Sequence, residues 1–458
     1  MPIPLIHDAI FREYDVRGVV GESFFADTAA LIARAFAEVV QQSGAKSICL
    51  GRDGRLSSAE FVQAVAQALK EQGIEVIDIG LGPTPMLYFA VKHFGAGGGI
   101  MITGSHNPPN HNGMKFMLGG GAFYGAQIQA LKTRIRSGDF ASHSGGSIQV
   151  HDIKEVYTSR LLERIIIAKP LRIAWDAGNG ATGEIMQLLC ERLKGDHTTL
   201  NATIDGTFPA HHPDPTVPEN LVQLIDKVRD KKLDAGIAFD GDGDRLGVVD
   251  DEGEILWGDQ LLMLYSREIL KERPGAVIIA DVKASGALFE EVERLGGNAL
   301  MWKTGHSLIK SKMAETGAPL AGEMSGHLFF ADHYYGFDDA LYAALRLLQL
   351  LSHSEQKLSD MRRSLPARIS TPEIRFACDD TRKFSVIDEV KARLLKQKRS
   401  FHDVDGVRVS HPDGWWLLRA SNTQPMLVAR CESASQDGLG RLKEDLRNEL
   451  AFSNVALP

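Results

Sequence analysis

Cysteine is scarce. Four residues, Cys49, Cys190, Cys378 and Cys431, are scattered over 458 positions, with no CxxC and no histidine at metal-ligand spacing. That argues against a disulfide framework or a zinc site and for reduced thiols, packed as small hydrophobes in a reducing compartment. No cationic tract is present either. The formal charge of -8 comes from acidic and basic residues mixed along the chain, which speaks against nucleic acid or an anionic membrane as partner. An anionic substrate then needs a local basic site. No apolar run reaches membrane-spanning length; LYAALRLLQLL, the most apolar helix-like stretch, is interrupted by Arg346 and reads as a core helix. The start, MPIPLIHDAIFREY, lacks the basic residues and the small-residue cleavage site of a signal peptide. The expectation is a cytoplasmic protein, a monomer or weak dimer.

The length exceeds one hydrophobic core and predicts three or four domains. A strand, a small-residue loop, an amphipathic helix and a second strand follow one another in SICLGRDGRLSSAEFVQAVAQALKEQGIEVIDIG, in LRIAWDAGNGATGEIMQLLCERL and in AVIIADVKASGALFEEVERLGGNALMWKTGHS. Such units build sheets with parallel pairs covered by helices on both faces, and the recurrence predicts three related α/β domains. From about Arg368 the pattern changes. PEIRFACDD reads as a strand, FSVIDEVKARLLK as a helix, VDGVRVSHPDGWWLLRAS as a hairpin turning at PDG, PMLVARCES as a further strand and LGRLKEDLRNELA as a closing helix. That makes a small antiparallel α+β domain. The expected domains are 1–150, 151–254, 255–366 and 367–458, with the Ser/Gly/His-rich SGDFASHSGGS supporting the first boundary.

Four stretches carry chemistry. In MITGSHNPPNHNGMKF, Ser105 sits in a Gly/Asn/Pro loop beside His106, with Lys115 ten residues on. Hydroxyl, imidazole and ammonium suit phosphoryl transfer; an ordinary turn is the alternative. In AFDGDGDRLGVV, Asp240, Asp242 and Asp244 alternate with glycines. An EF-hand fails here, because Arg245 takes the sixth place, Asp251 the twelfth, and the flanks read as strands rather than helices. Three carboxylates so close repel without a cation, and an incomplete set of hard oxygens suits Mg²⁺. WKTGHSLIK and AGEMSGHLFF bring Lys303, Gly305, His306, Glu323, Ser325 and His327 into Gly-containing polar loops, a composition able to bind sugar hydroxyls or to carry protons. LLRASNTQPMLVAR places Arg419, Ser421, Asn422 and Thr423 between two strands with no acid nearby, either a phosphate cradle or a polar connection. Two further stretches are ambiguous. Tyr14 and Arg17 in EYDVRGVVG either bring a cation to the serine or form an N-terminal turn, and GNGATG with Asp205 downstream matches a dinucleotide fingerprint but reads better as a tight strand-to-helix turn.

In this order, YDVRG, TGSHNPP with NGMK, DGDGDR, GEMSGH and RASNT resemble the α-D-phosphohexomutase superfamily over essentially the whole chain, most of all its bacterial phosphomannomutase/phosphoglucomutase branch. The resemblance implies three related α/β domains with mixed sheets sandwiched by helices, and a C-terminal α+β domain of TATA-box-binding-protein-like fold, around a central cleft. It implies that Ser105 is the phosphoserine and that Asp240, Asp242 and Asp244 hold Mg²⁺ together with an oxygen of that phosphate. Arg17, Lys115 and Arg245 then act around the transferring group, with Lys115 as general base or acid, His106 adjacent and His327 a second proton carrier. Tyr14, Lys283 in DVKASG, Lys303, Gly305 and His306 line the substrate side. Glu323 and Ser325 read sugar hydroxyls, while Arg419, Ser421, Asn422 and Thr423 grip the other phosphate. The implied reaction interconverts hexose 1-phosphate and hexose 6-phosphate of mannose or glucose, with glucose 1,6-bisphosphate or mannose 1,6-bisphosphate as intermediate and activator.

Three rivals compete. A phosphoglucosamine mutase is disfavoured by GEMSGH and SNT in place of the GEQSGH and SGT of that branch. A sugar-phosphate-binding scaffold without turnover is expected to lack the serine, an aspartate or a cradle residue, all of which stand here. A phosphoserine-forming hydrolase needs no second phosphate grip.

Overall fold

The structure, a computed structural model, describes residues 6–138, 140, 145–422 and 424–458. Part of the linker SGDFASHSGGS and Thr423 lie outside the described residues. The chain forms two compact units, one running through Gly258 and including Ser325–Asp360, the other made of Asp259–Met324 and Met361–Pro458. Among the described residues no helix is long and apolar enough to cross a membrane.

The first unit holds two mixed sheets. In the first, Ser47–Arg52 runs parallel to Glu75–Leu81 and Gly98–Ile102, while His111–Leu118 is antiparallel to Gly98–Ile102 and to Val16–Val19. Side chains alternate along Ser47–Arg52. Ile48 and Leu50 join the core beneath the helices Ala26–Gln42, Ser58–Glu71 and Ala126–Ser137. On the other face Gly51 and Gly99 admit Ile79, Val91 and Leu87, the last two from the helix Thr84–Phe94. Helices on both faces bury such a strand twice, and this is why it reads as a continuous apolar run. In the second sheet Leu171–Asp176 is parallel to Gly195–Leu200 and to Ala235–Phe239, and the last pairs antiparallel with Leu246–Asp250. LYAALRLLQLL falls in the helix Ala340–Ser352, where Arg346 is buried: it pairs with Asp332 at 2.7 Å and lies over Phe330.

In the second unit Val277–Asp281 lies parallel to Asn298–Trp302 and Leu320–Gly322. The C-terminal sheet is antiparallel throughout, with Val407–His411, Gly414–Ala420 and Met426–Ser433 in succession and the hairpin turning between His411 and Gly414. Period-two alternation sorts its faces. Trp416, Leu418 and Ala420 pack under the helices Lys383–Lys396 and Gln436–Ala451, whereas Trp415 and Leu417 pack with Val282. The α/β architecture with an α+β C-terminal end is as the sequence predicts. The four cysteines are free, and burial raises the thiols of Cys49, Cys190 and Cys431 to about 12, which leaves them inert.

Candidate active site

Ser105 follows the strand Gly98–Ile102 at its carboxyl end, the edge where parallel strands present their functional loops. Its backbone is left-handed, with φ of +50°, a strained conformation for a residue with a side chain. Several contacts hold it there. Its N–H donates to Thr103 Oγ1 at 2.8 Å, and its carbonyl accepts from Arg55 at 2.7 Å. Gly241 lies directly beneath, where a Cβ would stand 2.4 Å from that carbonyl oxygen. The hydroxyl donates to Asp240 Oδ2 at 3.2 Å and lies 3.2 Å from His106 Nδ1.

The three aspartates occupy the turn between two antiparallel strands, with Phe239 opposite Leu246 in the register. All three are fully buried, and one carboxylate oxygen of each lies within 4.8 Å of the others. Asp240 Oδ1 accepts the N–H groups of Gly243, Asp244 and Arg245, which closes the loop around it. Burial first, then Asp244 and Asp242, push the Asp240 carboxyl well above the usual range, the crowding that a cation relieves. Asp242 Oδ1 is buried and has no hydrogen-bond partner among the described residues. An unsatisfied buried carboxylate oxygen beside two more carboxylates fits a hard divalent cation. Thr84 braces Asp242 on the other side, donating its N–H to the carbonyl at 2.8 Å and its hydroxyl to Oδ2 at 2.5 Å.

The cationic residues arrive from three directions. Lys115, on the strand His111–Leu118, donates from Nζ to Asp242 Oδ2 at 2.7 Å and to Asp244 Oδ2 at 2.5 Å. Burial opposes that ammonium, but Asp242 and Asp244 outweigh it and hold its pKa well above the ordinary lysine value. Arg17 lies on the strand Val16–Val19, so EYDVRGVVG is more than an N-terminal turn; Tyr14 is partly buried just before it. The Arg17 guanidinium pairs with Asp15 and donates to Asn107 Oδ1 in the serine loop at 2.6 Å. Arg245 reaches His327 Nε2 at 3.4 Å. His327 in turn stands 3.3 Å from Asp244 Oδ1 and, through Nδ1, 3.1 Å from Ser325 Oγ. Burial, then Arg245 and Arg17, hold His106 well below the ordinary histidine value, so its imidazole is neutral and can exchange a proton with Ser105. The first unit thus brings together Ser105, His106, Lys115, Arg17, Arg245, Ser325, His327 and the aspartates.

A separate group forms in the second unit. Lys283 pairs with Glu373 at 2.9 Å and with Asp281 at 3.7 Å, and these carboxylates outweigh burial to raise its pKa. Burial lifts Asp281 to about 6 even beside that lysine. Glu323 accepts the N–H of Gly305 at 2.6 Å, which fixes the positive-φ turn leading into the helix that His306 begins. His306 is buried with Nδ1 3.2 Å from Lys310 Nζ, while Lys303 is exposed. Arg419 lies on the strand Gly414–Ala420 next to its end, and Ser421 and partly buried Asn422 follow that strand. The expectation of no acid near Arg419 needs correction: Asp405 Oδ2 lies 2.9 Å from its Nη2. The hairpin brings the acid there, since the register pairs Val407 with Leu418 and carries Asp405 to the level of Arg419 and Ala420. Lys383, also missed, is buried and donates to the carbonyls of Ser421 at 2.6 Å and Gln424 at 3.0 Å.

GNGATG is a tight turn, as expected. Gly178 and Asn179 have positive φ, Ala181 N–H donates to Gly241 O, and Asp205 accepts from Thr207 within its own loop. It supports the aspartate loop through that bond to Gly241. Asp53, Arg55 and Thr84 were also missed; the only sequence signal for the first two was a charged pair directly after a strand.

Residues 8–142, 154–253 and 257–369 match the phosphoglucomutase/phosphomannomutase alpha/beta/alpha domains I, II and III, and residues 373–449 match the C-terminal domain of the same family. A phosphomannomutase/phosphoglucomutase of Pseudomonas aeruginosa is 45% identical over 455 residues, 99% of this chain and 98% of that protein. A phosphoglucomutase of Neisseria meningitidis is 44% identical over 441 residues, 96% of each. The crystal structure of a phosphoglucomutase/phosphomannomutase family protein from Burkholderia thailandensis superimposes with a TM-score of 0.94 at 43% identity, covering 99% of both chains. The chain belongs to the phosphoglucomutase/phosphomannomutase family of the α-D-phosphohexomutase superfamily, in its bacterial branch.

Proposed function

We propose that this protein is a phosphohexomutase that interconverts hexose 1-phosphates and hexose 6-phosphates, acting on both mannose and glucose phosphates, with Ser105 as the group that gives and regains the phosphoryl. The observation that carries the reading is the hydroxyl of Ser105 held on a strained turn, 3.2 Å from Asp240 and 3.2 Å from His106. In the first half-reaction the Ser105 Oγ–P bond breaks as a bond forms from phosphorus to the free sugar hydroxyl. The hydroxyl's proton, net, replaces the phosphoryl group on Oγ. In the second half the other phosphate of the hexose 1,6-bisphosphate returns to Ser105 and that proton moves back. Such transfers demand positioning and positive charge more than covalent chemistry.

The chain's residues divide that work. His327, between Ser325 and Asp244, accepts the sugar hydroxyl's proton, and neutral His106 serves Oγ. Arg17, Lys115 and Arg245 offset the charge of the transferring group. Asp240, Asp242 and Asp244 hold Mg²⁺, whose contribution when bound is to draw charge from the oxygens of the serine phosphate. Glu323 and Ser325 read sugar hydroxyls with Lys283, Lys303, Gly305, His306 and Tyr14. Arg419, Ser421 and Asn422 hold the phosphate that is not reacting, as Thr423 was also expected to do. Glucose 1,6-bisphosphate or mannose 1,6-bisphosphate restores a serine that has lost its phosphate.

Relatives named for mannose and glucose phosphates give no support to the phosphoglucosamine or scaffold alternatives. A coupled assay of mannose 1-phosphate, glucose 1-phosphate and glucosamine 1-phosphate, with Mg²⁺ and a trace of glucose 1,6-bisphosphate, tests the reading. Turnover of the first two well above the third is expected. No turnover of any of them contradicts it.

A further inference from the structure

Arg55 is the least exposed cationic side chain near Ser105, at 1% of its full exposure. All five of its N–H donors are used. Nε bonds to Asp53 Oδ2 at 3.2 Å, Nη1 to the carbonyls of Pro108 at 2.5 Å and His111 at 3.0 Å, and Nη2 to those of Ser105 at 2.7 Å and Asn107 at 2.6 Å. Four of the five acceptors are backbone carbonyls of the loop 105–111, so one planar group sets the path of that loop. Asp53 completes the clamp by accepting the N–H of Gly104 at 3.1 Å, the N–H of Arg55 at 3.0 Å and the hydroxyl of Ser58 at 2.6 Å. Phe208 lies against the guanidinium, 5.2 Å from ring centre to Cζ. There is no slack on the serine side, since a Cβ at Gly104 would stand 2.5 Å from the Arg55 head group.

We infer that Arg55 is a positioning residue for phosphoryl transfer: it acts through the Ser105 carbonyl to hold the left-handed turn that aims Oγ at the aspartate cage. The inference rests on the reading of Ser105 as the phosphoryl carrier. Only arginine fits the role, because it presents five donors in a rigid plane, whereas lysine offers three from one point and cannot span four carbonyls. The energetic logic is that of strain held by surrounding structure. A non-glycine residue in the left-handed region relaxes unless several bonds over-determine it, and here one side chain bonds the Ser105 carbonyl and three more carbonyls of its loop. Since the acceptors of Arg55 are Asp53 and the carbonyls of the loop 105–111, its loss acts first on where Oγ points.

The test is steady-state kinetics of Arg55→Lys and Arg55→Ala with glucose 1-phosphate, beside wild type. A displaced nucleophile of this kind costs about 10²-fold in rate. The expected result is a fall of about that size in kcat for both variants with KM within about threefold, and partial recovery of Arg55→Ala, but not of wild type, on adding guanidinium ion. General destabilisation of the fold does not produce rescue by one small cation. Circular dichroism and the thermal midpoint establish that each variant is folded; should both fail to fold, Asp53→Asn, which keeps the volume but loosens the hold on Arg55 and Gly104, is expected to show the same kcat-selective loss. A kcat within about twofold of wild type in a folded Arg55→Lys, or a loss confined to KM, overturns the inference. Absence of turnover in wild type itself instead overturns the phosphoserine reading, so the two failures are distinct.

Discussion

Asp405 Oδ2 stands 2.9 Å from Nη2 and 3.0 Å from Nε of Arg419, and the same oxygen accepts the backbone N–H of Thr304 at 3.1 Å. One carboxylate therefore fixes the direction of the arginine proposed to grip a phosphate and ties down the turn before Gly305 and His306. Asp405→Ala removes the carboxylate that both Nε and Nη2 of Arg419 bond. KM for glucose 1-phosphate is expected to rise about tenfold, equivalent to about 1.4 kcal/mol, with a smaller change in kcat. Unchanged KM contradicts the role.

The partnerless Asp242 Oδ1 makes a second prediction. Magnesium raises the thermal midpoint of wild type, since a ligand bound only to the folded state stabilises it, by about 2.7 kcal/mol at a hundred times Kd. Asp242→Asn removes one negative charge from the cage and abolishes most of that rise. Equal shifts in both proteins place the cation elsewhere.

Lys115 neutralises the cage from within. Its side chain is 5% exposed between Asp242 and Asp244, and breaking a buried pair leaves uncompensated charge at a cost of about 3–5 kcal/mol. Lys115→Met is therefore destabilised in chelator and recovers part of the loss in saturating Mg²⁺, as followed by thermal melts in both conditions. Equal destabilisation in the two contradicts a loss that arises from uncompensated carboxylate charge.

His211 and Asp176 couple stability to pH. The imidazole Nε2 lies 3.0 Å from Asp176 Oδ2, and that hydrogen bond, against the opposing pull of burial, raises the histidine above its ordinary value. A raised folded-state pKa means the folded chain binds the extra proton more tightly. The contribution is complete below the unfolded value near 6.5 and is lost as pH rises through the folded one. Wild type should therefore exceed His211→Gln in thermal midpoint by more at about pH 6 than at about pH 9. A difference independent of pH contradicts the pairing.

The sequence exposed those parts of the site that lie close together along the chain. Ser105 and His106 share a loop, and the aspartates share a turn whose strand flanks follow from β-branched alternation, so both were legible. Parts assembled by tertiary register were not. Asp405 reaches Arg419 only because a hairpin folds Val407 onto Leu418. Arg55 meets the carbonyls of 105–111 only because Ser47–Arg52 and Gly98–Ile102 lie side by side in parallel, which sets their carboxyl-end loops together. The pairing of Lys115 with two aspartates 127 and 129 residues away was likewise out of reach of the sequence. The buried Arg346 shows the reverse: its helix was read as core despite the charge, and Asp332 and Phe330 explain how that core accepts it.

The central claim is that the phosphoryl group passes through Ser105. Its most direct test is intact-mass and peptide mapping of wild type and Ser105→Ala after incubation with glucose 1,6-bisphosphate and Mg²⁺, alongside turnover of glucose 1-phosphate. The account predicts one phosphoryl group on Ser105 in wild type, discharged by hexose phosphate, and neither label nor turnover in the variant. Full turnover by Ser105→Ala, or a phosphoryl group mapped to another residue, contradicts it.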